Sequence, residues 1–276
     1  MPEGDTIFRT AASLRRWLVG RTVTATRSTM PGVSLEGLVG TTVTSVVARG
    51  KHLLISFAPD DAVEQPGRVC VLRTHMRMTG SWHVYSLADR WQRPTRQARL
   101  VVECSDRVAV GFNIPDAQLE TEAVIERGRG LRTLGPDVLV EPFEDAEMLR
   151  RARLRPPATA VGELLLDQRV VAGIGNIYRN ESLFLQGRHP WTPVGSIDGD
   201  RLVDLVRQAA ALMHANLGPA DARDFGRGAS VTWVYRRSGR PCRRCGTAIR
   251  SRAQGEQARI AYWCSVCQPE PIARPD

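Results

Sequence analysis

Lysine is almost missing from this chain. Of its 38 Lys and Arg residues, Lys51 is the single lysine. A compositional preference for Arg accounts for the deficit without any function, but it makes the survivor informative. Arg serves a surface charge or an ion pair equally well, whereas it cannot replace a proton-transferring amine, because guanidinium stays protonated. Lys51 is therefore a candidate catalytic residue. Acidic residues are also scarce, 29 against 38 basic ones, for a formal charge of +9. That balance favours a polyanionic partner such as nucleic acid, through phosphate neutralisation and counterion release. No apolar run reaches the roughly 20 residues of a membrane span, and the start is polar and acidic, unlike a secretory leader. An intracellular protein is expected, cytoplasmic and nucleoid-associated if nucleic acid is its partner. Cysteine is limited to six residues.

The stretch Met1-Pro2-Glu3-Gly4-Asp5 gains weight from this background. With Met1 trimmed, Pro2 presents a secondary amine that can attack a sugar aldehyde carbon and form an imine-type adduct. An α-amine with a pKa near 8 is about one-tenth unprotonated at pH 7, against well under about a thousandth of a Lys side chain. Glu3 places a proton-transferring carboxyl beside it. On these residues alone, a solvated helix lead-in is the simpler reading.

Helical spacing of Ile7, Phe8, Ala11, Leu14 and Leu18 predicts a helix from Asp5 to Val19, capped by Asp5 or Thr6 and ended by Gly20. Short β-branched runs follow: 22–29, 39–48, 52–57, 68–74, 81–85, 99–104 and 107–112. Turn residues separate them, so they predict a sandwich or barrel. Arg49-Gly50 reads as a tight turn with Lys51 at its mouth. In the 74–80 loop, Met76 and Met78 flank Arg77, which is either a probe for a base stack or core methionines beside a solvated Arg. Gly and Pro punctuate 115–158 as a boundary, with a short helix opening at Pro142-Phe143-Glu144. Residues 161–186 read as helix, Gly173-Ile174-Gly175-Asn176 turn, helix. Such a turn brings backbone N–H groups and the helix dipole to a phosphate, and Asn176 can add a side-chain donor. A further helix spans 199–216, and 220–228 reads as a charged, flexible loop.

Cys242-x-x-Cys245 and Cys264-x-x-Cys267 are separated by eighteen residues. That spacing matches two knuckles around one tetrahedral, structural Zn²⁺. Disulfides are disfavoured inside cells. Cys70 and Cys104 fall in strands and read as core. Arg250, Arg252 and Arg259 lie between the knuckles and suit nucleic-acid contact. The Pro-rich tail after Gln268 reads as disordered.

Taken together, these residues resemble the formamidopyrimidine-DNA glycosylase and endonuclease VIII family. The resemblance runs through Met1-Pro2-Glu3-Gly4, Arg49-Gly50-Lys51-His52, Thr74-His75, Leu134-Gly135-Pro136-Asp137 and Leu166-Asp167-Gln168. It continues in Gly173-Ile174-Gly175-Asn176-Ile177-Tyr178 and ends in Tyr262-Trp263-Cys264-Ser265-Val266-Cys267-Gln268. It implies an α+β fold: an N-terminal helix on a two-sheet β-sandwich (1–134), a hinge (135–158), a helix-two-turns-helix domain (159–230), a zinc-finger hairpin (231–268) and a tail (269–276). DNA is expected between the two halves, with the damaged nucleotide flipped out to the N-terminus. The resemblance also implies roles. Pro2 is the nucleophile, Glu3 a proton carrier, Lys51 a residue needed for the reaction, and Arg259 a phosphate grip implicated in the second elimination. Asn176, Gly175, Arg77, Met78 and Arg132 are implied DNA contacts.

The implied activity is excision of a damaged base followed by β,δ-elimination at the abasic site. Met78 resembles the formamidopyrimidine branch, whereas the Pro-Glu-Gly start resembles endonuclease VIII and the 220–230 loop is short for capping an oxidised purine. Oxidised pyrimidines in double-stranded DNA are therefore the expected substrate, acted on by a monomer. Two alternatives remain open: an oxidised-purine glycosylase, and a zinc-stabilised reader of damage that does not cut.

Overall fold

The computed structural model describes residues 2–59, 69–218, 225 and 231–271, the side chain of Arg129 excepted. Two compact units divide the chain, 1–133 and 134–276.

In the first unit, α1 (Gly4–Leu18) turns Ile7, Ala11, Leu14 and Leu18 into the core. Burial of each large aliphatic contributes roughly 1.5–3 kcal/mol. Arg15, on the outward side, donates through Nε (3.0 Å) and Nη2 (2.7 Å) to the Val46 carbonyl and ties the helix to the sheet. The N-cap position is Glu3; Asp5, expected as the cap, lies inside the first turn and is fully buried.

The strands are β1 (Val23–Ser28), β2 (Thr42–Arg49), β3 (His52–Ala58), β4 (Cys70–His75), β5 (Ser81–Ser86), β6 (Ala98–Cys104), β7 (Arg107–Phe112) and β8 (Asp116–Thr121). They form two antiparallel four-stranded sheets, ordered β1-β6-β7-β5 and β2-β3-β4-β8. Their inner faces and α1 share one core, which includes Val43, Leu53, Leu72, Trp82, Leu100 and Cys104. Trp82 Nε1 donates to Thr74 Oγ1 across it at 3.1 Å. β8 was not expected from the sequence. It is an edge strand, Asp-Ala-Gln-Leu-Glu-Thr, with no residue fully buried, so it has neither β-branched density nor a clear alternation. Helices α2 (Glu122–Arg127) and α3 (Arg129–Arg132) follow it.

In the second unit, α4 (Asp145–Arg153), α5 (Val161–Leu164), α6 (Asn176–Leu185) and α7 (Gly199–His214) gather around a second core. α4 begins after the expected Pro142-Phe143-Glu144 opening and runs nine residues. Asp198 caps α7, its carboxylate accepting the Arg201 N–H at 2.9 Å. β9 (Arg250–Gln254) and β10 (Arg259–Trp263) make the C-terminal hairpin. Of the loop expected at 220–230, only Phe225 is described; it is buried against the helical core. The other loop residues and tail residues 272–276 lie outside the described residues.

Candidate active site and nucleic-acid interface

Pro2 is partly exposed, directly ahead of α1, and Glu3 behind it is fully buried. The helix start thus withdraws the carboxyl from solvent while leaving the proline at the surface. Lys51 projects from a two-residue hairpin turn, Gly50-Lys51, between the paired residues Arg49 and His52. The turn is one residue later than the expected Arg49-Gly50. Gly50 has a φ of 59°, the left-handed conformation that glycine adopts without steric cost. Arg49 Nη1 clamps this hairpin to Glu126 of α2, at 2.8 and 2.6 Å from its carboxylate oxygens.

Beside Lys51 lies a polar corner. His52, His75 and Asp116 are register partners across β3, β4 and β8. Arg73 holds His52 and Asp116 together, donating to Asp116 Oδ1 at 3.1 Å and to His52 Nδ1 at 3.3 Å. Burial, reinforced by His75 and Arg73, lowers the His52 pKa to about 3. Burial, with Arg77 next, lowers that of His75 to about 4.

The loop after β4 separates its two methionines. Met76 is core, whereas Met78 is 54% exposed. Arg77 between them is exposed with a φ of 45°, and its Nη2 lies 3.9 Å from Asp116. Gly80 N–H donates to the Met76 carbonyl at 2.8 Å and closes the loop. A Cβ on Gly80 would lie 2.7 Å from that oxygen, so the closure requires glycine. The loop therefore presents Arg77 and Met78 outward and keeps Met76 as their anchor. Arg132 is exposed at the end of α3.

In the second unit, Gln168 braces the glycine turn. Its Nε2 donates to the Leu166 and Ile174 carbonyls (3.1 and 3.0 Å), and its Oε1 accepts the Gly173 N–H (3.0 Å). Gly175 is the N-cap of α6, and Asn176 opens the helix. The Asn176 side chain turns to the hairpin: Nδ2 donates to the Ile260 carbonyl at 3.1 Å, and Oδ1 accepts from Arg179 at 2.5 Å. Arg179 is fully buried and also donates to Ile260 O (2.8 Å) and Gln254 Oε1 (2.9 Å). Asn180 Oδ1 accepts the Tyr262 N–H at 2.7 Å. This lattice joins α6 to both strands of the hairpin, next to Arg259.

Arg259 lines a cavity of about 630 Å³ with Arg155, Glu163, Gln168 and Arg169. Asp167, also on the wall, is salt-bridged to Arg155 and Arg169, each at 2.9 Å. Burial works to raise its pKa, but the bonds from Arg169 and the charge of Arg155 prevail and lower it. Glu181 accepts backbone N–H bonds from Trp233 (2.6 Å), Val234 (3.1 Å) and Tyr235 (2.9 Å), fixing the chain that leads into the first Cys pair. Sequence reasoning missed Arg179, Asn180 and Glu181 as a buried set. The available signal was a helix whose polar and apolar residues alternate around its circumference, with no solvent face set apart from a core face.

The Sγ atoms of Cys242, Cys245, Cys264 and Cys267 all lie within 4.8 Å of one another. Cys245 and Cys264 are 3.4 Å apart, and Cys242 and Cys267 3.9 Å. A tetrahedral metal with M–S bonds of about 2.3 Å needs sulfur separations of about 3.8 Å. Four sulfurs at such distances fit a closed metal site.

Comparison with known proteins agrees with this geometry. Residues 1–115 match the formamidopyrimidine-DNA glycosylase N-terminal domain, and residues 134–221 match the formamidopyrimidine-DNA glycosylase H2TH domain. A probable endonuclease 8 2 of Streptomyces coelicolor is 40% identical, covering 100% of this chain and 96% of its own. The DNA-(apurinic or apyrimidinic site) lyase Nei2 of Mycolicibacterium smegmatis is 38% identical over 97% of this chain and 99% of its own. The fold is shared with Lactococcus lactis Fpg in complex with N7-benzyl-Fapy-dG DNA, with a TM-score of 0.78 at 21% identity, covering 98% of this chain and 100% of that one. With both domains matched and relatives aligned from end to end, the chain belongs to the formamidopyrimidine-DNA glycosylase and endonuclease VIII family of bifunctional DNA glycosylases and abasic-site lyases.

Proposed function

We propose that this enzyme excises oxidised pyrimidines from double-stranded DNA and then cleaves the strand by β,δ-elimination through an imine on Pro2. The observation that carries the reading is the helix start, where Pro2 is partly exposed and Glu3 is buried directly behind it. Once Met1 is removed, the Pro2 nitrogen attacks C1′ of the flipped nucleotide and the C1′–base bond breaks, the base leaving with a proton. Glu3 carries protons at this centre as the sugar ring opens to an iminium. The iminium acidifies the C2′ proton; its removal expels the 3′ phosphate, and a second elimination expels the 5′ phosphate. Hydrolysis of the imine then frees Pro2.

Lys51, on its fixed turn, serves this reaction. Arg259 grips phosphate and assists the second elimination. The N–H groups at the start of α6, at Gly175 and Asn176, suit a backbone phosphate. Arg77 and Met78, both exposed, fill the space left by the flipped nucleotide. Arg132 adds a phosphate contact. The four cysteines hold one structural Zn²⁺, and the enzyme acts as a monomer in the cytoplasm, on nucleoid DNA. Preference for pyrimidines rests on the Pro2-Glu3-Gly4 start, which resembles the endonuclease VIII branch, and on the short 220–230 segment. Met78, of the formamidopyrimidine type, favours oxidised purines as the second reading.

Borohydride trapping tests this directly, because it reduces an imine to a stable amine. A covalent complex with an oligonucleotide containing an abasic site is expected for the Met1-processed protein, and none for Pro2→Gly. Thymine glycol is expected to be excised faster than 8-oxoguanine; the reverse order supports the purine reading. Tight binding of lesion DNA without trapping makes the protein a reader of damage.

A further inference from the structure

His52 directly follows Lys51, and its chemistry is not used by the mechanism above. Two of the chain's five histidines meet in this corner, in register on β3 and β4, with ring centroids 4.9 Å apart and planes at 75°. Each has a donor aimed at Nδ1. The Arg73 guanidinium points at His52 Nδ1 (3.3 Å), and the Arg77 backbone N–H at His75 Nδ1 (3.1 Å). A nitrogen that accepts such a bond carries no proton, so both rings are Nε2–H tautomers. Arg73 cannot exchange roles, since guanidinium has no acceptor, and it is itself pinned by Asp116 Oδ1 (3.1 Å) and Gln118 Oε1 (3.4 Å). The charged groups facing the pair are Lys51, Arg73, Arg77 and Asp116, three cations against one carboxylate.

We propose that His52 is a positioning residue: backed by Arg73 and Asp116, it blocks rotation of the His75 ring and holds it as an Nε2–H donor beside Lys51, facing the DNA. The other His75 tautomer, or a flipped ring, would offer a phosphate oxygen a lone pair or a C–H instead of a donor. Burial and the surrounding cations keep both rings neutral well below neutral pH, so the donor persists across the working range. This role rests on the glycosylase-lyase reading, but its first test does not.

The test is ¹⁵N-detected imidazole spectroscopy of the whole protein without DNA, followed by single-turnover incision of an abasic duplex. In the wild type, His75 is expected as Nε2–H alone from pH 5 to 8. In His52→Ala it should become a tautomer mixture that protonates within that range, with incision at pH 7 about tenfold slower at subsaturating DNA and nearly unchanged at saturation. His52→Phe keeps the edge-to-face ring and should recover both readouts to within about threefold. Should His52→Ala fail to fold, His52→Val, which suits a strand but presents no ring to His75, should give the same change in the His75 signals. An unchanged His75 spectrum in the variants that remove the His52 ring overturns the proposal, whether or not the protein forms an imine.

Discussion

The two units put polar groups to opposite uses. In the first, the core cluster is apolar, with Glu3 and Asp5 buried at the helix start, and the other groups proposed for the reaction stand at its margins: Pro2 ahead of a helix, Lys51 on a hairpin turn, and Arg77 and Met78 on a glycine-closed loop. In the second, polar groups are the interior. Asn176, Arg179, Asn180 and Glu181 are buried, and their partners lie on the hairpin or on the chain leading to the cysteines. Margins suit groups that must reach a substrate, while a buried network suits a grip whose geometry must not drift. A buried network is stable only when complete, so the second unit should fail abruptly and the first gradually.

The largest effect is expected at the cysteines. Cys264→Ser, or chelation of the metal proposed for the four cysteines, should unfold the β9–β10 hairpin and lower DNA affinity by about a hundredfold or more, read by anisotropy. Its circular dichroism should still show the β-sandwich. Next comes Arg179→Met, which takes the guanidinium donor from Gln254 Oε1 and one of the two donors from each of Asn176 Oδ1 and Ile260 O. A loss of about 3–5 kcal/mol in denaturant unfolding of the second unit is expected; a loss below about 1 kcal/mol would mean the lattice is ornamental.

The first unit responds to acid instead. His52 and His75 have folded pKa values of about 3 and about 4, below the unfolded 6.5. Between pH 6.5 and 4 the unfolded chain therefore binds more protons than the folded one, and stability must fall as pH falls. The slope is at most about 1.4 kcal/mol per pH unit per histidine. Urea titrations of wild type and His52→Phe should show the variant with the shallower slope. The smallest effect is Glu126→Gln, which removes the Arg49 ion pair. Both side chains are nearly half exposed, so the change should stay within about 0.5 kcal/mol.

What could be read beforehand divides along the same line. The marginal residues are legible because they stand out by type and position along the chain: Pro2 and Glu3 after Met1, a lone lysine, and two Cys pairs at zinc spacing. Apolar periodicity marked α1 and seven strands, because each buries one face or two. β8 escaped because an edge strand with both faces part-exposed has no pattern to show. The Arg179 lattice escaped for a different reason. Its meaning lies in acceptors 75 and 81 residues away, and no local period encodes such a pairing. His52 was visible as a neighbour of Lys51, but its role depends on Arg73 and Asp116, brought alongside only by strand register.

The isolation of Lys51 on its turn has a practical consequence. With no other lysine in the chain, an amine-acylating reagent has two targets, the Lys51 ammonium and the N-terminal amine. Both belong to the proposed reaction centre. Mild acylation with and without duplex, followed by peptide mass spectrometry, thus becomes a two-site footprint of occupancy, obtained from unaltered protein. The same scarcity confines amine bioconjugation to those two positions, and the proposed mechanism expects their modification to silence the enzyme.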